Sequence, residues 1–148
     1  MTEEQVTKTI INYLNTNKWN IITFDFPQSG TGKILLPNES IGEKNKDGFI
    51  PDIVTVKNGI CLFFENKHRF YLKDFQKISS LINNNVFSNS IANLLKDNHI
   101  LYIYYGIGLP LSKWSSSAKT NASLVDFIFG VSLNSCVEIL YNPHDISV

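Results

Sequence analysis

Asp52, Glu65 and Lys67 are the residues whose types and spacing could do chemistry. They sit in two β-rich runs, Asp52-Ile-Val-Thr-Val-Lys57 and Ile60-Cys-Leu-Phe-Phe-Glu-Asn-Lys67, separated by Asn58-Gly59, the strongest short signal for a two-residue hairpin turn. With that turn Lys57 faces Ile60, and counting back along both strands sets Asp52 opposite Glu65. Opposed residues share a face with Cβ atoms roughly 4.5 to 5.5 Å apart, and Lys67, two residues beyond Glu65, points the same way. Two carboxylates this close repel, and at the edge of an apolar core one is driven toward its neutral form unless something compensates. A divalent cation compensates directly. Mg²⁺ takes one or two carboxylates plus water and phosphate oxygens, and the Asn66 carbonyl is a further candidate ligand. A lysine beside such an ion can orient or deprotonate a water, or stabilise charge on a phosphoryl oxygen. The same side chains on a solvated surface hairpin would be an ordinary cross-strand ion cluster.

The elements that must position these residues are written around them. Thr2 is a plausible N-cap for a helix reaching about Asn17, with Val6, Ile10, Tyr13 and Leu14 on one face. On a 100° wheel Glu3 shares that face whereas Glu4 turns away, so Glu3 is the acid of this helix placed to join a site; both acids also suit the positive end of the helix dipole. Trp19 to Phe26 reads as a strand, and Pro27 to Gly48 as a long polar stretch interrupted by Ile34-Leu35-Leu36. Within the hairpin, Val54/Phe63 and Val56/Cys61 share one face, and Ile53/Phe64, Thr55/Leu62 and Lys57/Ile60 the other. Both faces are apolar enough for the hairpin to be central and covered on two sides. Helical spacing follows from Leu72 to Ile82, and after the Asn83-Asn84-Asn85 break a second helix is expected over Val86 to Lys96. His99 to Tyr105 reads as a buried strand ended by Gly106 and Gly108, the Ser115-Ser116-Ser117 cluster as the start of a helix reaching about Phe129, and Val137 to Tyr141 as a final strand.

Pro51-Asp52 followed after a β-hairpin by Glu65-Asn66-Lys67 resembles the signature of the PD-(D/E)xK, or restriction-endonuclease-like, nucleases. The resemblance covers the first two thirds of the chain. It implies an α/β fold with a core of helix, three strands, helix and strand, in which a central mixed β-sheet is flanked by helices. It also implies hydrolysis of DNA phosphodiester bonds to 5′-phosphate and 3′-hydroxyl ends with Mg²⁺, for which Mn²⁺ could substitute. In those terms Asp52 and Glu65, with Asn66, would hold the metal, Lys67 would serve the water and the transition state, and Glu3 would assist from the first helix. A chain this short has little room for a separate recognition domain, so a homodimeric type II restriction enzyme acting on double-stranded DNA fits best. A junction resolvase, a restriction-system subunit and an RNA-cleaving toxin are alternatives of the same fold. A catalytically silent domain that binds DNA or protein is the alternative of another class.

Composition limits the partners. Thirteen basic and thirteen acidic residues cancel, so no global basic field draws in nucleic acid, and a phosphate-binding surface must be local. Its candidates are Lys33, Lys44, Lys46, Arg69 and Lys73, with Lys77 one helical turn beyond Lys73. Arg69 is the only arginine, which limits bidentate reading of guanine. Lys113, Trp114 and Lys119 near the serine cluster are weaker candidates for a sugar-phosphate contact, the tryptophan reading better as core. Ser29-Gly30-Thr31-Gly32-Lys33 lacks a complete phosphate-binding loop because Ile34 follows the lysine, so no nucleotide cofactor is expected. The three histidines show no zinc-ligand spacing. Gln76 is followed four positions on by Ser80 and not by the tyrosine of a family subgroup. Cys61 and Cys136 read as two buried thiols of a reducing compartment. The polar, acidic amino terminus and the lack of an apolar stretch near ~20 residues point to a cytoplasmic protein without a membrane partner. With 43% hydrophobic residues, residues 1–148 are expected to form one domain.

Overall fold

Asn58 and Gly59 both take positive φ, 50° and 81°, the pair of left-handed residues that a two-residue hairpin turn requires. The computed structural model describes residues 1–39 and 48–148, and these place the hairpin inside a mixed six-stranded sheet flanked by helices, an α/β fold. The strands are β1 (Asn20–Phe24), β2 (Ile53–Lys57), β3 (Ile60–Asn66), β4 (Tyr102–Pro110), β5 (Phe127–Val131) and β6 (Val137–Tyr141), lying side by side in that order. β3 pairs parallel with β4, and β4 with β5, while the other neighbours are antiparallel. The hairpin register matches the sequence reading from Lys57↔Ile60 to Ile53↔Phe64.

Both faces of the hairpin are covered. Helix α1 (Glu3–Thr16) lays Val6, Ile10 and Leu14 against Ile53, Leu62, Phe64, Phe127 and Phe129. Its start is fixed by a capping box in which the Thr2 hydroxyl accepts from the Gln5 N–H and the Gln5 side chain accepts from the Thr2 N–H. On the opposite face Val54, Val56, Cys61 and Phe63 pack with Leu35, Phe49 and Leu95. Helix α2 (Leu72–Asn83) adds Phe75 and Ile78 against Ile107, Leu109 and Ile128 on that same side. Helix α3 (Ser88–Leu94) is shorter than the expected Val86 to Lys96 segment. Among the described residues no helix is long and apolar enough to cross a membrane.

The carboxyl-terminal third departs from the sequence reading. The serine cluster does start a helix, α4, but it ends at Thr120, and a 3₁₀ turn (Ala122–Leu124) leads into β5 where helix was expected. Phe127-Ile-Phe-Gly-Val131 is buried along its whole length. Short continuous apolar runs of this kind suit parallel strands covered on both faces and show neither helical nor alternating periodicity. β4 likewise continues through Gly106 and Gly108 to Pro110. A Cβ on Gly106 would strike the Phe127 ring, and one on Gly108 would strike Asn66 Oδ1 and Ile10. These glycines therefore let neighbouring side chains cross the strand and do not end it. Gly108→Ala is expected to lower stability by about 1–3 kcal/mol, the usual effect of overpacking, read as a reduced denaturation midpoint. Cys61 is buried as expected, with its thiol pushed up to about 12 by burial. Cys136 is exposed, because it lies in the turn between β5 and β6 where Ser132 and the Cys136 backbone bond each other.

Candidate active site

The β2–β3 ladder closes with Ile53 and Phe64, one pair short of the expected match between Asp52 and Glu65. Asp52 instead donates its N–H to the Phe64 carbonyl at 3.0 Å, and its own carbonyl accepts from the Asp25 N–H at 2.8 Å. Its carboxylate turns toward β3, where Oδ2 accepts the Asn66 backbone N–H at 2.6 Å. The two carboxylates still feel each other. Burial, and after it the charge of Glu65, pushes the Asp52 pKa up from 3.8 to about 7, with Glu3 adding a smaller push; the Asn66 N–H and Lys67 act against them. This is a carboxylate whose charge is undercompensated at neutral pH.

Lys67 stands at the carboxyl end of β3, its N–H bonded to the Gly108 carbonyl of the parallel neighbour at 2.9 Å. Its Nζ lies 3.4 Å from Glu65 Oε1, 3.7 Å from Asp74 Oδ1 and 3.9 Å from Glu3 Oε1. Partial burial alone would lower its pKa, but Glu65, Asp74 and Glu3 together outweigh that effect and hold the ammonium above its ordinary value. Lys67 is therefore a committed cation at neutral pH. That favours stabilising anionic oxygen over accepting a proton from water. Lys77, one turn beyond Lys73 on α2, reaches Glu65 Oε1 at 3.5 Å and covers the Phe49 ring. His68 Nδ1 lies 3.5 Å from Glu3, and its other ring nitrogen meets the Tyr71 hydroxyl at 3.1 Å.

The fold thus brings Glu3, Asp52, Glu65 and Lys67 together from α1, the start of β2 and the end of β3. Asn66 is wholly buried, and its side chain donates to the Thr7 hydroxyl at 3.0 Å. Its backbone N–H faces β2, so the carbonyl of the same residue, the proposed metal ligand, lies toward that strand as well. Of the phosphate candidates, Lys33 is exposed in the loop after β1, next to Gly32, whose backbone crowds Asp25 and Ile50 at the Asp52 end of the hairpin. Arg69 is exposed and lies over the Tyr71 ring at 4.6 Å; Lys73 is exposed on α2. Lys44 and Lys46 fall outside the described residues. Asp74 was not among the candidates from sequence. Its signal was present, since on a helical wheel it falls about 40° from the buried Ile78, on the edge of α2 that borders the sheet.

The donor set suits a hard divalent ion. Asp52 and Glu65 offer only oxygen, and Asp52 is held, desolvated, where added positive charge would restore its ionised form. Among the described residues no three His, Cys, Asp or Glu side chains converge to cage an ion. A cation here would rest on Asp52 and Glu65 and complete its shell from water and substrate oxygens, the habit of Mg²⁺.

No protein-family model and no curated protein sequence matches the chain. Among solved structures it is similar to an XisH family protein from Nostoc punctiforme PCC 73102, at 13% identity and a TM-score of 0.45 over 93% of this chain and 99% of that one. It is similar also to an FdxN element excision controlling factor protein from Anabaena variabilis, at 14% identity and a TM-score of 0.45, with the same coverage.

Proposed function

We propose that the chain is a restriction-endonuclease-like nuclease that hydrolyses DNA phosphodiester bonds with Mg²⁺ or Mn²⁺, leaving 5′-phosphate and 3′-hydroxyl ends. One observation carries this reading: the half-buried Asp52 carboxylate, raised to about 7 by desolvation and the charge of Glu65, stands beside an ammonium held by three acids. A silent binding module has no use for that arrangement, because uncompensated carboxylates repel a phosphate. The position agrees, since ligands of parallel sheets gather beyond the carboxyl ends of the strands, where Lys67 follows β3. In this reading Asp52 and Glu65 hold the metal, with the Asn66 carbonyl available as a further ligand. When bound, the ion would supply Lewis acidity and a water of lowered pKa. Lys67 donates to a non-bridging phosphoryl oxygen and so offsets the charge that builds there. Glu3 and Asp74 orient Lys67, and Lys77 partly neutralises Glu65 until substrate arrives.

The test is incubation of plasmid, branched DNA and RNA with purified chain in Mg²⁺, Mn²⁺ or EDTA. Cutting of DNA in Mg²⁺ but not in EDTA, lost in Asp52→Asn, is expected; no cutting of any DNA in any divalent metal would sink the reading. The homodimeric type II form requires, in addition, a two-fold dimer that presents two sites to one duplex, which sedimentation can detect. Asp74→Asn should leave the fold intact and lower the Lys67 pKa. Its pH–rate profile is then expected to lose activity at lower pH on the alkaline side than wild type, with a modest loss, about ten-fold, near neutrality.

A further inference from the structure

Beside the acid-rich centre lies a groove of a different character. About 620 Å³ in volume, it runs past the carboxyl ends of β4 and β5 and is walled by Leu111, Val131 and Leu133, with Asn134 at one rim and His68 and Lys113 at the others. Among the described residues no acidic side chain lines it, and Lys113 forms no ion pair with any of them. Leu133 stands 91% exposed, an apolar side chain offered to solvent next to polar groups. His68 belongs to both places, since it lines the groove and directly follows Lys67 while touching Glu3. His68 thus adjoins both the Lys67 end of β3 and this groove.

A paired duplex presents charged phosphates and hydrated edges to its surroundings and hides the flat faces of its bases. An unpaired nucleotide offers its apolar face to an apolar slot without the cost of unstacking a base step, and sequence-tolerant binding of single strands relies on that contact together with nearby cations. We propose that this groove receives an unpaired nucleotide of the DNA strand next to the scissile phosphate, its base against Leu111 and Leu133 and its phosphate toward Lys113 and His68. This rests on the hydrolase reading for the location of the scissile phosphate, and it sharpens the substrate from uniform duplex to DNA with an unpaired nucleotide at the cut, as at a tail, flap or junction.

The experiment measures fluorescence anisotropy of labelled oligonucleotides with the full Asp52→Asn chain, alone and carrying Leu133→Asp or Lys113→Glu. Both groove substitutions are at exposed positions, where the fold tolerates change. A duplex with a single-stranded tail is expected to bind about ten-fold more tightly than the blunt duplex, and each substitution to remove most of that difference. Equal affinity for tailed and blunt DNA, or a tail preference untouched by both substitutions, overturns the proposal. If the tail preference is found and lost in the variants while the wild-type chain cuts no DNA in any divalent metal, the groove stands and the hydrolase reading falls. If plasmid is cut but tails confer no preference, the groove falls and the hydrolase reading stands.

Discussion

Asp52→Asn is expected to abolish DNA cutting and, at alkaline pH, to make the protein more stable. The sign follows from the direction in which the pKa moves on folding. Between the ordinary value of 3.8 and about 7, the folded chain holds a proton that the unfolded chain has released, so stability falls as pH rises through that interval. Above it the folded state carries the whole penalty of a half-buried, poorly compensated charge. A tenfold change in proton affinity is worth about 1.4 kcal/mol, and after allowance for relaxation a gain of about 2–3 kcal/mol is expected for the neutral amide at alkaline pH. Under acid conditions, near the ordinary carboxylate value, wild type and variant should converge. The amide keeps an oxygen for the Asn66 N–H, which now bonds Asp52 at 2.6 Å, so geometry is preserved. Urea denaturation under both conditions measures the effect. A variant less stable than wild type at alkaline pH would mean that the carboxylate is already well compensated without metal. Mg²⁺ is expected to raise the wild-type midpoint there and to leave Asp52→Asn nearly unmoved, since only the charged pair offers a site.

Lys67→Met should be as damaging to activity, by about a thousand-fold or more, but with the opposite effect on stability. It removes the ammonium that Glu65, Asp74 and Glu3 share at 3.4 to 3.9 Å, and leaves those acids facing one another. A loss of about 1–3 kcal/mol is expected at neutral pH. The Lys67 pKa is raised from 10.5, so its contribution is fully present below that value and disappears only as pH rises beyond it. The wild-type advantage should therefore persist to about pH 9 and grow as Asp52 ionises around pH 7, because Lys67 acts to lower that carboxyl's pKa. Lys67→Met combined with Asp74→Asn should recover part of the lost stability and none of the activity, which separates charge balance from chemistry.

The centre of the molecule was legible because several local rules agree there. Asn58-Gly59 sets the turn, the turn sets the register, and the register places Glu65 on the α2 side and Asn66 on the α1 side. Glu3 was legible for a related reason: its wheel position ties it to the buried stripe of α1, and the capping box fixes where that stripe begins. What sequence could not give was the last pair of the hairpin, where the Asp52 N–H turns to the Phe64 carbonyl and a hydrogen bond to Asn66 replaces a ladder partner. β5 was misread because Phe127 to Val131 carries no period, and its strand identity comes from β4 and the packing of Phe64 on Phe127 and Phe129. Gly106 and Gly108 look like strand breakers until the side chains that fill their space are known. Asp74 carried a wheel signal beside the buried Ile78, but its approach to Lys67 depends on how α2 docks on the sheet, a tertiary fact.

The middle residue of Glu65-Asn66-Lys67 does none of the proposed proton or phosphate chemistry with its side chain, yet it ties together the parts that would. Its N–H holds Asp52, its amide nitrogen holds Thr7 of α1, and its Oδ1 fills the space over Gly108. Asn66 and Gly108 are thus a coupled pair in the mutational sense. A larger residue at 108 needs room from both Asn66 and Ile10, and a smaller one at 66 removes the side-chain tie to Thr7 of α1, the helix that carries Glu3. A deep mutational scan should find the position between the two chemical residues as intolerant as they are, and its penalties non-additive with those at 108.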